Sequence, residues 1–439
     1  MNARFKTYAK RVAQILSVSL LVQAASVSIQ ASMPKTYAAE APALNLEVES
    51  AILIEATTGQ VIYEYNADTL REPASMAKMM TEYLVMEAIE SGKIKWDDMV
   101  TTSKYAASVG GSGGLLAANE KLTVDQMFKA MSIYSGNDAT IALAEFLEGS
   151  EEAFARKMNE TARKIGMSDG ANFITSTGLP RYMTDKLNPS SLPGETVMTA
   201  RDAAILARRI ILDHPQVLEY TKIPKLKLRE RDKTEMTNWN WMLETYQGTA
   251  NMQPYVYPGL DGLKTGHTNE AGYCFTGTAV RNGMRLISVV MGAKTEPKRF
   301  QETRKLLDYG FNNFELKTML AANTPIDGQP TVKISKGKKT EIPVVSGGEA
   351  KFIARKGSED KPEITVETKS ADELKAPFDK GAEVGTITVK YNGVEQKVPL
   401  VAAEEAEKGG WFRLFFRAIG NFFSDLFSGI ASGIKGLFS

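Results

Sequence analysis

The spacing of apolar residues predicts two strands and a helix in the first part of the chain. Apolar runs at Ser50–Glu55 and Val61–Tyr65 flank the turn sequence Thr-Thr-Gly-Gln, a pattern typical of adjacent strands. The apolar residues that follow have helical spacing from Ser75 onwards, and Gly92 ends this pattern. Pro73 suits the first turn of such a helix, because the N–H group that proline lacks would have no partner there.

Polar residues that cap helices mark further elements. Thr123 and Gln126 form a capping box at the start of one helix, and Thr199 and Asp202 form another. The first of these helices ends at Ser135-Gly136-Asn137, after which a second apolar helix begins. A polar tripeptide in this position either faces a cleft or simply breaks and caps the helices. The pattern alone leaves both interpretations open.

A strand hairpin is predicted in the second half of the chain. Strand patterns at 273–280 and 284–291 are joined by Arg281-Asn282-Gly283, and Asn-Gly between such runs is a strong hairpin signal. We expect the segment around Lys264 to pair beside this hairpin, and a helix over residues 299–314 to follow it. The predicted fold class is therefore α/β (α+β), with an antiparallel sheet flanked by helices.

The C-terminal part of the chain has a different composition. Residues 316–404 contain short alternating strands separated by Gly, Lys and Pro turns, which predicts a small all-β domain. A charged linker at 405–410 leads to residues 411–439, where aromatic and aliphatic residues share one helical face. Charges interrupt this segment too often for a membrane-spanning helix. We predict an amphipathic helix on a membrane surface, and packing on the β domain is the alternative.

The N-terminal segment has the features of a secretory signal. Four basic residues lie within the first eleven positions, and an apolar run covers residues 12–25. Small residues at Thr36 and Ala38 offer a cleavage site, so the predicted signal peptide covers residues 1–38. Serine and glutamine interrupt the apolar run, which favours cleavage over a retained N-terminal anchor.

Composition excludes several classes of function. The formal net charge of +1 gives no electrostatic basis for binding nucleic acid. Cys274 is the single cysteine, so an exported chain must be stabilised by its core and not by an internal disulfide. The two histidines, His214 and His267, have no second ligand at metal-binding spacing. We predict no metal site and no cofactor.

Ser75 and Lys78 are the first candidates for catalysis. Helical residues three apart lie on one face, so the hydroxyl and the amine can meet. A serine needs a base to become a nucleophile, and a lysine serves as that base only when it is neutral. Burial or a second cation favours the neutral form. The spacing alone is a weak signal, because it recurs at Ser32/Lys35, Ser335/Lys338, Ser358/Lys361 and Ser432/Lys435.

Two further motifs, each present once, strengthen the signal at Ser75. They are Ser135-x-Asn137 and Lys264-Thr265-Gly266. Together with the export signal, the three motifs resemble those of the active-site serine penicillin-binding enzymes. The chain is most similar to the low-molecular-weight D-alanyl-D-alanine carboxypeptidases of the penicillin-binding protein 5 type.

This resemblance extends over the whole chain. It implies a signal peptide at 1–38, a penicillin-binding/β-lactamase-like peptidase domain at 39–315 and a β-rich domain at 316–404. The linker at 405–410 and an amphipathic membrane anchor at 411–439 complete the expected organisation. The expected location is the outer face of the cytoplasmic membrane, with peripheral attachment.

The resemblance also implies a mechanism. Ser75 would attack the carbonyl between two terminal D-alanines of the peptidoglycan stem pentapeptide and form an acyl-enzyme. Lys78 would accept the serine proton, Ser135 would relay it to the leaving amine, and Asn137 would bind the substrate amide. β-Lactam antibiotics would acylate the same serine as covalent inhibitors.

The third motif would recognise the substrate. Lys264 and the Thr265 hydroxyl would bind the terminal carboxylate, and Gly266 would let the substrate backbone lie against the strand. By the same resemblance, the backbone N–H groups of Ser75 and His267 would form the oxyanion hole, and Arg299 would lie near the carboxylate.

Other functions on the same scaffold remain possible from the sequence. A DD-endopeptidase or a transpeptidase would use the same motifs. A class A β-lactamase is disfavoured, because the second motif lacks the central aspartate and no Glu-x-x-Leu-Asn deacylation sequence is recognisable. A non-enzymatic wall-binding scaffold is disfavoured because every motif residue is intact.

Overall fold

The computed structural model describes residues 42–113, 115–413, 415 and 419 of the chain. The predicted signal peptide (1–38) and most of the predicted terminal helix (411–439) lie outside the described residues. Within the described ranges, no helix combines the length and the hydropathy that a bilayer span requires.

Helices and strands alternate over the first two thirds of the described chain, and strands alone form the elements between Phe314 and Ala402. Helices α1 to α9 cover Lys78–Glu90, Lys104–Ser108, Val124–Tyr134, Asn137–Glu148, Glu151–Lys164, Arg181–Thr184, Ala200–Asp213, Val217–Thr221 and Glu296–Asn313. Strands β1 to β16 cover Ser50–Glu55, Val61–Tyr65, Met99–Thr101, Lys121–Thr123, Lys225–Leu226, Met236–Thr237, Leu260–Thr268, Gly272–Arg281, Met284–Ala293, Phe314–Leu320, Thr331–Lys333, Glu341–Ser346, Ala350–Arg355, Glu363–Thr368, Glu383–Tyr391 and Val394–Ala402. Short 3₁₀ helices cover Ala74–Ala77, Glu244–Tyr246 and Gln253–Tyr255.

A five-stranded antiparallel sheet separates two layers of helices. Its spatial order is β2-β1-β9-β8-β7, so β7 lies at one edge. Successive side chains of a strand point to opposite faces. On β1, Ile52 and Ile54 belong to the core that includes α1, α3 and α7, whereas Ala51 and Leu53 belong to the core that includes α9. The predicted sheet flanked by helices is confirmed.

Helix α1 is buried on nearly every side. Its apolar residues surround the helix, which is typical of a helix in the centre of a layer. Lys78 and Glu82 are also fully buried on it. A buried charge is unfavourable unless a partner compensates it. The two residues therefore mark α1 as a helix with a chemical role as well as a packing role.

The hairpin at Arg281-Asn282-Gly283 and both capping boxes occur as predicted. Both ends of the helix predicted at residues 299–314 differ from the prediction. Helix α9 begins at Glu296, where Thr295 caps it and Pro297 occupies its first turn. It ends at Asn313, and Phe314 already belongs to β10. Phe314 is apolar and follows the helical spacing, so the pattern could not separate the helix from the strand.

The C-terminal region is all β, as predicted. Strands in the order β11-β12-β16-β15-β14 form one antiparallel sheet around a separate apolar core. The sequence analysis missed β10 and β13, which pair with each other. This pair lies against the first domain, where the buried Gln60 side chain accepts a hydrogen bond from the backbone N–H of Ile353 (2.7 Å).

Candidate active site

Ser75 lies on a tight turn that leads into helix α1. Pro73 caps the 3₁₀ helix Ala74–Ala77, and α1 begins directly after it at Lys78. Ala74 has a φ of 49°, in the left-handed region that L-residues seldom adopt. Such backbone strain persists where the surrounding structure enforces it, and it concentrates at functional sites. The turn leaves Ser75 partly exposed while both of its neighbours are buried.

The Lys78 side chain makes three hydrogen bonds that fix its position. Its Nζ lies 2.8 Å from Ser75 Oγ, 2.8 Å from Asn137 Oδ1 and 3.2 Å from the carbonyl oxygen of Thr177. The residue is completely buried. Burial lowers the pKa of Lys78 well below its ordinary value, and the positive charge of Lys264 lowers it further. Both effects favour the neutral amine that a proton acceptor requires.

Ser135 and Asn137 fall at the junction of α3 and α4. Ser135 has a φ of 63°, and its buried hydroxyl makes no hydrogen bond with the residues that the structure describes. Asn137 Nδ2 donates to the carbonyl of Gly110 (2.8 Å), while its Oδ1 accepts from Lys78. That Asn137 binds the substrate amide stays a prediction, and in this structure both ends of its side chain contact the protein.

Strand β7 brings the third motif to the edge of the sheet. Lys264 is buried, and its Nζ donates to the carbonyl of Thr265 (3.1 Å). Burial lowers the pKa of Lys264, and the negative charge of Glu82 acts in the opposite direction. A Cβ on Gly266 would lie 2.5 Å from the carbonyl oxygen of Pro73. A glycine is thus required here by the approach of the Ser75 turn to β7, before any substrate is considered.

Arg299 and His267 complete this side of the site. Arg299 is 3% exposed, its guanidinium donates to the carboxylate of Glu296 (2.6 Å), and it packs against the Phe300 ring. Burial lowers the pKa of Arg299 to about 10, and Glu296 opposes this shift. The His267 ring is exposed and stacks on Tyr273 with 4.0 Å between ring centroids. The structure gives the His267 side chain no hydrogen bond to Ser75 or Lys78, and the role of its backbone N–H in an oxyanion hole stays a prediction.

These residues surround a pocket of about 490 Å³. Ser75, Ser135, Thr265, Gly266, His267 and Arg299 line it, and Lys78, Asn137 and Lys264 lie in the protein beneath. Three separate parts of the chain therefore meet at Ser75. The other Ser-x-x-Lys spacings that the structure describes lie in the all-β region, outside this pocket.

Sequence reasoning missed several residues that shape the site. Tyr134 and Trp239 form an aromatic wall of the pocket, and the Trp239 indole N–H donates to the carbonyl of Tyr134 (3.0 Å). Gly178 has a φ of 76°, and a Cβ there would lie 2.0 Å from the carbonyl oxygen of Ala74. A glycine directly after Thr177 was visible in the sequence, but nothing local connected it with Ser75.

Comparisons with known proteins identify the family. Residues 35–295, more than half of the chain, match the family described as D-alanyl-D-alanine carboxypeptidase. The chain belongs to the D-alanyl-D-alanine carboxypeptidase family. Residues 314–408 match the C-terminal domain of penicillin-binding protein 5. The predicted penicillin-binding protein 5 type is thereby confirmed, and so is the predicted serine-type carboxypeptidase activity.

Relatives of this carboxypeptidase agree along most of its length. D-alanyl-D-alanine carboxypeptidase DacF of Bacillus subtilis is 38% identical over 376 residues, which cover 85% of this chain and 90% of the relative. The crystal structure of PBP3 from Streptococcus pneumoniae, titled a peptidoglycan synthesis regulatory factor, superimposes with a TM-score of 0.72. It is 31% identical and covers 82% of this chain and all of its own. Penicillin-binding protein D2 from Listeria monocytogenes, solved in its ampicillin-bound form, is 34% identical with a TM-score of 0.50. It covers 62% of this chain and all of its own.

Proposed function

We propose that Ser75 is the nucleophile of this carboxypeptidase and that Lys78 is its general base. The observation that carries the proposal is the 2.8 Å contact between Lys78 Nζ and Ser75 Oγ at the floor of the pocket. A buried, uncharged lysine accepts the hydroxyl proton as the oxygen attacks. Because the pKa of Lys78 is lowered by burial and by Lys264, the neutral amine is available well below the pH at which a lysine ordinarily loses its proton.

The reaction proceeds in two steps. Ser75 Oγ bonds to the carbonyl carbon between the two terminal D-alanines, and the C–N bond to the last D-alanine breaks. The proton on Lys78 passes through the Ser135 hydroxyl to the leaving amine. A water molecule then attacks the ester, and Ser75 recovers its proton as the shortened peptide leaves. The backbone N–H groups of Ser75 and His267 stabilise the oxyanion in both steps.

The terminal carboxylate of the substrate is bound by Lys264, Thr265 and Arg299. Two of these groups are buried cations, so a carboxylate in the pocket meets positive charge that water does not screen. Asn137 holds Lys78 in place and orients the loop at Gly110. The preferred substrate is the stem pentapeptide of peptidoglycan, which ends in this carboxylate.

β-Lactams acylate Ser75 in the same way, because their ring amide replaces the D-alanyl amide. The ampicillin-bound form of the Listeria monocytogenes relative supports this proposal. The test is mass spectrometry after treatment with benzylpenicillin. The acyl group is expected on Ser75, and the Ser75→Ala protein is expected to take up no label and to release no D-alanine. Acylation or D-alanine release that survives in Ser75→Ala would overturn the assignment.

DD-endopeptidase and transpeptidase activities use the same scaffold and are distinguished by their products. Incubation with a stem pentapeptide gives a tetrapeptide and free D-alanine if the enzyme is a carboxypeptidase. A cross-linked dimer cleaved at its bridge indicates an endopeptidase, and a new cross-link with an added amine acceptor indicates a transpeptidase. Rapid turnover of penicillin would instead indicate a β-lactamase, and failure to react with any of these substrates would indicate a wall-binding scaffold.

The proposed location is the outer face of the cytoplasmic membrane. The signal at 1–38 exports the chain, the β domain at 316–404 acts as a spacer, and residues 411–439 lie on the lipid surface. The exposed side chains of Trp411, Phe412 and Ile419 support this arrangement. Aromatic rings at a bilayer interface bury their apolar bodies near the headgroups, and such a helix binds without crossing the membrane.

A further inference from the structure

Glu82 is a buried acidic residue that the mechanism above does not use. It lies one helical turn after Lys78 on α1, and residues i and i+4 share a helix face. Its side chain is completely buried. Neither carboxylate oxygen accepts a hydrogen bond of ordinary geometry from the residues that the structure describes. A carboxylate in this position is unfavourable unless nearby positive charge compensates it.

Two lysines supply that positive charge. Burial raises the pKa of Glu82 to about 7, and the positive charges of Lys264 on β7 and Lys78 on α1 act in the opposite direction. The Ser132 hydroxyl on α3 lies close enough to lower the same pKa. In return, the negative charge of Glu82 opposes the lowering of the pKa of Lys264 by burial. The three ionisable groups thus form one electrostatic unit beneath Ser75.

The other buried acids near Lys78 have different partners. Asp138 on α4 accepts hydrogen bonds from the backbone N–H groups of Leu115, Leu116 and Ala139. Glu151 on α5 accepts from the N–H and the hydroxyl of Ser176. Both also act on the pKa of Lys78. Among the described residues, however, Glu82 is the acid that acts on Lys264, and Arg299 is the cation that opposes it.

The chemistry needs the two lysines in different states. Lys78 must be neutral to accept a proton, whereas Lys264 must be charged to hold a carboxylate. Two buried lysines without a nearby anion would repel each other, and both would lose their protons readily. One carboxylate balances one ammonium, which leaves the second lysine free to be neutral.

We propose that Glu82 is a positioning residue that keeps Lys264 protonated while Lys78 is neutral. The inference rests on the proposed roles of Ser75, Lys78 and Lys264. It assigns to Glu82 no contact with the substrate. The functional motif therefore runs from the 3₁₀ helix into α1 as Ser75-x-x-Lys78-x-x-x-Glu82, one turn longer than the serine–lysine pair alone.

The test is the pH dependence of kcat/KM for a diacetylated tripeptide ending in D-Ala-D-Ala. In Glu82→Gln the alkaline limb of the profile is expected to move to lower pH by about one unit, because Lys264 loses its anion and gives up its proton more easily. The acidic limb moves in the same direction, since Glu82 also raises the pKa of Lys78. Glu82→Asp keeps the charge and is expected to restore most of the wild-type profile.

Glu302→Gln provides the matched control. Glu302 is an equally buried glutamate of α9, and it pairs with Lys305 instead of a lysine of the site. Its substitution is expected to leave both limbs in place. If Glu82→Gln does not fold, the profile of Glu82→Asp decides, and a smaller shift in the same direction supports the proposal. Unmoved limbs, or an equal loss of activity at every pH, would show a merely structural role and overturn it. The roles of Ser75 and Lys78 are tested separately by the position of the acyl group after penicillin treatment, which is expected to remain Ser75 in Glu82→Gln.

Discussion

Lys78 Nζ lies 2.8 Å from Ser75 Oγ and equally close to Asn137 Oδ1, so one nitrogen links the proposed nucleophile to the junction of helices α3 and α4. A third contact, to the carbonyl of Thr177, leaves the amine little freedom to move. Held in this way, the amine meets the geometric requirement for a general base, which must lie within hydrogen-bond reach of the proton that it takes.

Lys78→Arg is expected to abolish most of the activity, because it replaces a neutral amine with a permanent cation. Arginine keeps its proton at every accessible pH, so it cannot serve as the base. Positioned proton transfer contributes about 10² to 10⁴-fold, and the rate of acylation by benzylpenicillin should fall within that range. Lys129→Arg, at a partly exposed ion pair with Asp125, is the control and should react at the wild-type rate. Equal acylation rates in the two variants would exclude Lys78 as the base.

The wild-type pH profile is expected to be bell-shaped, with both limbs below pH 10.5. Activity appears as the pH rises through the pKa of Lys78, which must become neutral, and that pKa lies well below its ordinary 10.5. Activity disappears as the pH rises through the lowered pKa of Lys264, which must stay charged. The measurement is kcat/KM between pH 5 and the alkaline limit of stability. In Lys264→Arg the alkaline limb should move upwards, and an unchanged limb would mean that another group titrates there.

Lys264→Gln is expected to weaken recognition of the substrate carboxylate specifically. Removal of one member of a buried charge pair costs about 3 to 5 kcal/mol, which corresponds to a loss of about 10² to 10⁴-fold in kcat/KM. A matched peptide with a C-terminal amide lacks that charge. For this peptide, Lys264→Gln is expected to lower kcat/KM less than about tenfold. Comparable losses for the acid and the amide would show that Lys264 does not bind the carboxylate.

Gly178→Ala should be far more damaging than Gly248→Ala. Both glycines have positive φ values, 76° and 86°, so both substitutions carry a backbone penalty of about 1 kcal/mol. A Cβ at residue 248 meets nothing within 4 Å, whereas at residue 178 it would collide with the carbonyl of Ala74. Overpacking adds about 1 to 3 kcal/mol. Thermal unfolding should show the difference, and the acylation rate should fall only in Gly178→Ala because the Ser75 turn must move.

Deletion of residues 411–439 is expected to release the protein from membranes without loss of activity on a soluble peptide. The segment contributes no residue to the pocket in the described part of the chain. Co-sedimentation with vesicles that contain anionic lipid provides the measurement, and the full-length mature chain is the positive control. A truncated protein that still sediments with vesicles would contradict the proposed anchor.

Local rules predicted much of the fold. The capping boxes at Thr123 and Thr199 and the Asn-Gly hairpin occur because each depends on residues within a few positions of one another. The meeting of Ser75 and Lys78 is equally local, since residues three apart share a helix face. The sequence analysis missed strands β10 and β13. The apolar residues of β10 follow directly on a helix, and those of β13 form a run with little alternation.

The arrangement of the site was decided by packing between distant segments. Asn137 is 59 residues from Lys78 along the chain, and Thr177 is 99 residues away. The spacing of apolar and polar residues cannot predict those contacts. It also cannot predict the approach of Gly266 to Pro73. By itself the sequence determined which residue types were available and which fold would hold them. Only the tertiary structure buried Lys78 and Glu82 and brought Lys264 near them. That environment matters because the charge of a lysine depends on its surroundings and not on its neighbours in sequence.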